Sequence, residues 1–96
     1  MRGASSAKHT CTLRREREVL REGLSISLDV SYDQDPDLPD YAASFLTQQY
    51  PTDLEVGDQL QMLLDDGRSG DVIVSRIPKI AEGLYMVGFR FLSGLQ

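Results

Sequence analysis

The sequence predicts an all-β fold, namely a small antiparallel β-barrel of five to six strands. Two observations indicate this class. Short segments in which apolar and polar residues alternate recur along the chain, and turn-forming residues separate them without any long amphipathic helix. A barrel is favoured over an open sheet because closure removes the exposed edges that so small a sheet would otherwise leave. The 96 residues are enough for one domain with one modest core.

The predicted strands follow one another at short intervals. Residues 24–32 have the clearest pattern, since one face would carry only apolar or aromatic side chains, namely Leu24, Ile26, Leu28, Val30 and Tyr32. Four further strands are predicted at residues 41–49, 59–64, 71–77 and 84–92. Between the first two strands lies an acidic loop, residues 33–40, whose two prolines cannot join a sheet interior.

The segment before residue 24 allows two interpretations. Residues 13–22 place charged residues at helical spacing and would form a short helix ending at Gly23, where the left-handed conformation is readily adopted. The same residues would also serve as an extended lead into the first strand. Residues 1–12 are expected to form a flexible N-terminal arm, which leaves residues 13–96 for the barrel domain.

The charge distribution is uneven along the chain. Six of the ten basic residues lie in positions 1–21 beside two acids, a balance of +4, whereas residues 22–96 have a balance of −9. Four arginines directly precede the first predicted strand, and we call them the arginine collar: Arg14, Arg15, Arg17 and Arg21. Because a guanidinium matches the geometry of phosphate and carboxylate groups, the collar is expected to attract a small anion or an acidic partner.

Several functional classes are not expected. Cys11 and His9 are the only cysteine and histidine, too few for a four-ligand structural zinc site, and no catalytic set is evident, so we expect neither a metal site nor an enzyme. The net charge of −5 argues against DNA or RNA binding, which needs a broad basic face. No apolar run approaches the roughly 20 residues of a membrane-spanning helix, so membrane insertion is not expected. A single cysteine suits a reducing cytoplasm.

The order of these features resembles a known family. The arginine collar leads into a strand, Val56-Gly57-Asp58 forms a turn before another strand, and residues 84–92 read Leu-Tyr-Met-Val-Gly-Phe-Arg-Phe-Leu. Together they are similar to a PilZ domain over residues 14–95. PilZ domains are small bacterial β-barrels whose better-known members bind cyclic di-GMP.

Two motifs hold the nucleotide in the binding members of that family. The first is Arg-x-x-x-Arg before the first strand, and Arg17 and Arg21 match its spacing. The second is Asp/Asn-x-Ser-x-x-Gly on the next strand, of which only Ser44 is retained, while Thr47 stands in place of the glycine. The nucleotide-binding residues that the resemblance implies are Arg17, Arg21, Arg14, Arg15 and Ser44. A β-branched residue at the glycine position is expected to weaken or abolish binding.

A second interpretation assigns no ligand to these residues. Glu16, Glu18 and Glu22 would neutralise the collar in a solvated charged segment, and Ser44 would be an ordinary strand residue. An unrelated SH3-like or oligonucleotide-type barrel would also fit the strand pattern, because one fold hosts many functions.

The resemblance implies a non-enzymatic regulatory module of bacterial cyclic di-GMP signalling, acting in motility, pili or exopolysaccharide production. Its ligand would be cyclic di-GMP held by Arg17 and Arg21, without a further cofactor. Its protein partner would belong to the pilus, flagellar or polysaccharide machinery. The alternative is a PilZ-like protein–protein adaptor that has lost ligand binding and makes contact through the acidic loop or the basic arm.

Overall fold

The computed structural model describes residues 4–35 and 38–96 as a seven-stranded antiparallel structure in which no helix occurs. The strands are β1 (Ala4–Arg15), β2 (Glu18–Asp35), β3 (Leu38–Thr47), β4 (Gln59–Leu64), β5 (Ser69–Arg76), β6 (Lys79–Ala81) and β7 (Leu84–Phe91). Accordingly, no helix in the described part of the chain could span a membrane.

Six of the strands close into a barrel. Around the ring the order is β1, β2, β3, β7, β5 and β4, and the pairing of β3 with β7 completes the closure. The seventh strand, β6, lies outside the ring and pairs only with β7. The prediction of a small antiparallel β-barrel is therefore confirmed.

The barrel interior is built from the alternating positions of each strand. In β2, Ile26 and Leu28 are buried, whereas Ser25 before them and Asp29 after them are exposed. The same alternation in the other ring strands, together with Leu54 of the segment between β3 and β4, brings the buried side chains into one core: Cys11, Leu13, Ile26, Leu28, Ala43, Phe45, Leu54, Leu60, Met62, Leu64, Val72, Val74, Val87 and Phe89. The core therefore forms because alternate side chains of each strand point into the barrel.

The N-terminal segment is extended and contains no helix. Residues 4–15 are strand β1, which pairs with β2 on one side and β4 on the other, so residues 4–12 belong to the barrel and not to a flexible arm, while residues 1–3 lie outside the described part. The helix expected at residues 13–22 is absent, and residues 18–22 are part of β2, in line with the extended alternative. Cys11 and Leu13 of this strand are buried in the core. A tight turn at residues 16–17 joins β1 to β2, and Glu16 adopts a positive φ of 55° there. Pairing with a strand on each side holds this segment in the sheet, although its weak apolar pattern did not predict a strand.

The hairpin between β2 and β3 is tighter than the predicted acidic loop. Residues 33–35 and 38–40 belong to the two strands, and residues 36–37 of the predicted loop lie outside the described part of the chain. Pro39 is in β3 at a point where that strand has not yet reached its β7 partner, since pairing with β7 begins at Ala42. A proline is tolerated at such an unpaired edge because no ladder hydrogen bond needs its missing N–H.

Residues 48–58 connect β3 to β4, and we call them the connector. Leu54 is buried against the core, which holds the connector on the barrel. The predicted turn at residues 56–58 is present, with Gly57 at a φ of 98° and the Asp58 N–H donating to the Glu55 carbonyl oxygen at 3.0 Å. This turn places the carboxylates of the connector next to the β1–β2 hairpin.

Candidate functional site

The arginine collar lies at the β1–β2 hairpin. Arg14 and Arg15 end β1, Arg17 is in the turn, and Arg21 lies in β2. Because the two strands pair directly, with Arg14 opposite Val19 and Arg15 opposite Glu18, the hairpin concentrates the four arginines at one end of the barrel. The sequence cluster therefore becomes a spatial cluster.

Arg21 makes a bidentate ion pair with Asp53 of the connector. Its Nη2 donates to Asp53 Oδ1 at 2.8 Å, and its Nη1 donates to Asp53 Oδ2 and to the Leu20 carbonyl oxygen. The hydrogen bonds from Arg21 are the main reason that the pKa of Asp53 lies below its usual value. The Asp53 carboxylate is therefore charged at neutral pH, and the guanidinium of Arg21 is already occupied by it.

Arg15 makes a second link between the hairpin and the connector. Its Nη2 donates to Asp58 Oδ2 at 2.8 Å and to the Asp53 carbonyl oxygen at 3.0 Å. Asp58 Oδ2 also accepts the Glu55 N–H at 2.9 Å, so the carboxylate both caps the connector turn and holds the arginine. Arg15 and Arg21 thus attach β1 and β2 to the segment that precedes β4.

The other two collar arginines are not tied in this way. Arg17 is exposed in the turn, and it makes no hydrogen bond or ion pair with the residues that the structure describes. Arg14 is half-buried, and its Nε atom is buried without a hydrogen-bond partner among the described residues. The carboxylates that hold Arg15 and Arg21 are Asp53 and Asp58, whereas the neighbouring glutamates expected to neutralise the collar form no ion pair with it in the described part.

Ser44 lies away from the collar. It is in the middle of β3, opposite Ser27 of β2 and Gly88 of β7. Arg21 and Ser27 are six residues apart on β2, which corresponds to roughly 20 Å along an extended strand. Thr47, at the glycine position of the second motif, ends β3 with its hydroxyl donating to the Gln49 carbonyl oxygen at 3.1 Å. The structure therefore gathers the arginines but does not bring Ser44 to them.

Ser44 belongs instead to a solvent-facing surface of β3, β7, β5 and β6, which we call the outer face. Its members are Ser44, Leu46, Ser75, Arg76, Ile80, Met86 and Arg90, and Gly88 lies buried beneath Ser75 and Arg76. Two adjoining depressions of about 390 and 520 Å³ lie on it, and Asp29, Ala42 and Arg90 line both. Sequence analysis did not identify Arg76 or Arg90 as candidates, because neither belongs to a recognisable motif.

A β-bulge shapes the centre of the outer face. The register between β5 and β7 shifts between Val74 and Arg76, so that Ser75 and Arg76 both contact Gly88. The Ser75 hydroxyl donates to the Gly88 carbonyl oxygen at 3.0 Å. A Cβ atom at position 88 would be 3.3 Å from Arg76 Cγ, so the glycine leaves room for the arginine side chain to cross the strand.

A separate cluster of possible metal ligands lies where β1 meets the β4–β5 turn. Ligand atoms of His9, Asp65 and Asp66 lie within 4.8 Å of one another. His9 Nδ1 is 2.9 Å from Asp65 Oδ1, and this contact is the largest cause of a lowered pKa for Asp65. Arg68 occupies both oxygens of Asp66 with its backbone N–H and its guanidinium. Each of these groups therefore already has a protein partner, and the cluster functions as a strand-to-turn contact.

Cys11 is unsuited to nucleophilic chemistry. The side chain is 3% exposed, and burial together with the negative charge of Asp65 raises the pKa of its thiol to about 11. A thiol with so high a pKa is protonated at neutral pH, whereas the thiolate is the reactive form.

Comparisons with known proteins return no relative. No protein-family model, no curated protein and no solved structure matches the chain. The functional conclusion therefore depends on the geometry of the chain and on the resemblance of its motifs.

Proposed function

We propose that this chain is a non-enzymatic regulatory module of the PilZ type that works as a protein–protein adaptor and does not bind cyclic di-GMP. The observation that carries the proposal is the pairing of Arg21 with Asp53, because it occupies the second arginine of the Arg-x-x-x-Arg spacing with a carboxylate of the same chain. The barrel topology and the sequence of the last strand support the family side of the proposal.

The energetic reason is competition for the guanidinium. A nucleotide phosphate or guanine edge would have to replace the two charge-assisted hydrogen bonds from Arg21 to Asp53. Asp53 would then lie beside the incoming phosphate, and repulsion between like charges would oppose binding further. Arg15 is held by Asp58 through a charge-assisted hydrogen bond, so two of the four collar arginines already bind carboxylates of the same chain.

The receptor function is the second candidate, and one observation favours it. Arg17 is exposed and has no partner among the described residues, so it is available to a phosphate without any such competition. In that case cyclic di-GMP would contact Arg17 first and would bind tightly only if Asp53 released Arg21.

Calorimetric titration of cyclic di-GMP distinguishes the two candidates. We expect no saturable heat at high micromolar ligand for the natural chain. Asp53→Asn removes the competing carboxylate without changing the volume of the side chain, so it should be the variant most able to bind the nucleotide. Saturable heat in the natural chain that is lost in Arg17→Ala and Arg21→Ala would establish the receptor function and overturn the adaptor proposal. Arg68→Ala, which removes an arginine from the distant β4–β5 turn, is the matched control.

The partner side of the proposal is tested by affinity capture from a bacterial extract. We expect the same protein, from the pilus, flagellar or polysaccharide machinery, to be recovered at equal yield with and without added cyclic di-GMP. Recovery that requires the nucleotide would contradict an adaptor that acts independently of it.

A further inference from the structure

We infer that the outer face is the docking surface of the module and that its partner is an extended acidic segment of another protein, with two acidic residues two positions apart next to an apolar residue. This inference rests on the proposed adaptor function and names its contact surface. It places the contact at neither of the two segments expected from the sequence.

The first argument is the pairing state of the arginines. Arg15, Arg21 and Arg68 each have a carboxylate partner in the chain. Arg76 and Arg90 have none within ion-pair distance among the side chains that the structure describes, those of residues 5–32 and 39–96, although the chain has a net charge of −5. Two guanidiniums on this face are therefore available to the carboxylates of a partner without displacing a described internal partner.

The second argument is the spacing of the two arginines. Arg76 is paired with Gly88, and Arg90 is two residues further along β7, so the two are diagonal neighbours on one face. Such neighbours in antiparallel strands are about 7–8 Å apart. In an extended peptide, residues i and i+2 lie on the same side about 7 Å apart, which matches this spacing. Each carboxylate of such a peptide would meet one guanidinium.

The third argument is the surface on which the arginines lie. Ala42 and Ser44 lie beside them on β3, and these small side chains let the backbone of a partner approach closely. Asp29 and Asp40 line the β2–β3 side of the two depressions, so an acidic partner would be confined to the β5–β7 side, where the two arginines lie.

The fourth argument is an exposed apolar strip next to the arginines. Leu46 is 62% exposed on β3 and lies opposite Met86 of β7, one row beyond Gly88. Ile80 of β6, the strand that pairs with β7, is 52% exposed. A partner that buried this strip would gain hydrophobic free energy in addition to the two ion pairs.

The inference is tested with a fluorescein-labelled synthetic peptide of eleven residues, in which valine and serine surround two glutamates at positions i and i+2. Its affinity for the full chain is measured by fluorescence anisotropy. A peptide with lysine in place of both glutamates is the control for charge. We expect the glutamate peptide to bind at least tenfold more tightly than the lysine peptide. Its affinity should fall as the salt concentration is raised.

Matched variants of the protein locate the site. The double substitution Arg76→Gln and Arg90→Gln should weaken binding at least tenfold, and Leu46→Ser should weaken it severalfold. Arg68→Gln should leave binding unchanged. Both outer-face arginines are exposed, so unfolding midpoints by circular dichroism should match those of the natural chain. Equal affinity for both peptides, an equal loss in Arg68→Gln, or no binding at millimolar peptide would overturn the inference.

Three outcomes distinguish a wrong occupant, a wrong premise and a wrong surface. Light scattering that showed a dimer dissociated by the Arg76→Gln and Arg90→Gln pair would assign the face to a second copy of the chain and overturn the inference. Saturable cyclic di-GMP binding would overturn the adaptor function itself. Failure of the glutamate peptide without nucleotide binding would remove only the surface assignment.

Discussion

The ion pair between Arg21 and Asp53 is predicted to stabilise the barrel by about 1 kcal/mol. At the 2.8 Å that separates Nη2 from Oδ1, the Coulomb energy of two unit charges is about 1.5 kcal/mol in a water-like dielectric. The side chains are 32% and 36% exposed, so screening and the entropy of ordering both side chains lower the net contribution. The bidentate geometry keeps it near the upper end of the range for exposed pairs, which is about 1 kcal/mol.

A double-mutant cycle measures this energy directly. Arg21→Ala, Asp53→Ala and the double variant are unfolded in urea, and the coupling free energy is expected to be about 1 kcal/mol. With an m-value of about 1–3 kcal/mol/M for a small protein, each single substitution should lower the urea midpoint by roughly 0.5 M. A coupling below about 0.3 kcal/mol would refute the reasoning, because Arg21 would then be free for a ligand at no structural cost. The exposed pair of Lys79 and Glu82 is the control and should show weaker coupling.

Four further predictions follow from the described contacts. Leu13→Ala should destabilise the fold by about 2–5 kcal/mol in urea unfolding, because the side chain is fully buried. The same substitution beside a flexible arm would change the free energy of unfolding little. Cys11 should react with a thiol reagent only on unfolding at pH 8, since a pKa raised from 9.0 to about 11 lowers the thiolate fraction about 100-fold. Gly70→Ala should destabilise by about 1–3 kcal/mol, measured the same way, because the new Cβ would lie 2.9 Å from Phe91 Cδ2. The folded-state pKa of Asp53 is lowered, so the stability difference between the natural chain and Asp53→Asn should be constant above about pH 5 and shrink on acidification below about pH 4.

The strands that could be predicted from sequence are those whose inward positions carry large apolar side chains. β2 and β4 are of this kind, and β4 begins and ends at the residues expected from its alternation of leucine and methionine with glutamine. β1 could not be recognised because its inward positions before Leu13 are held by His9 and Cys11, which do not give a strong apolar period. β6 has only three residues, all exposed, and its pairing with β7 depends on the turn between them.

The candidate site was predicted in part, and distance along the chain explains the part that was missed. The arginine collar is contiguous in sequence, so its clustering could be inferred. Asp53 and Asp58 lie more than 30 residues after the arginines that they bind, and only the fold of the connector brings them there. Arg76 and Arg90 become neighbours through the β5–β7 register and its bulge, which local residue patterns do not encode.

The two arginine clusters differ in what an anion must displace in order to bind. At the collar, a ligand that engages Arg15 or Arg21 must replace an internal carboxylate, and each such pair contributes about 1 kcal/mol, equivalent to roughly fivefold in affinity. Displacing both Asp53 and Asp58 would therefore cost about 30-fold before any favourable contact is made. At the outer face, Arg76 and Arg90 have no described carboxylate to be displaced. An acidic partner should therefore gain more from Arg76 and Arg90 than from Arg15 and Arg21, even though the collar carries more arginines.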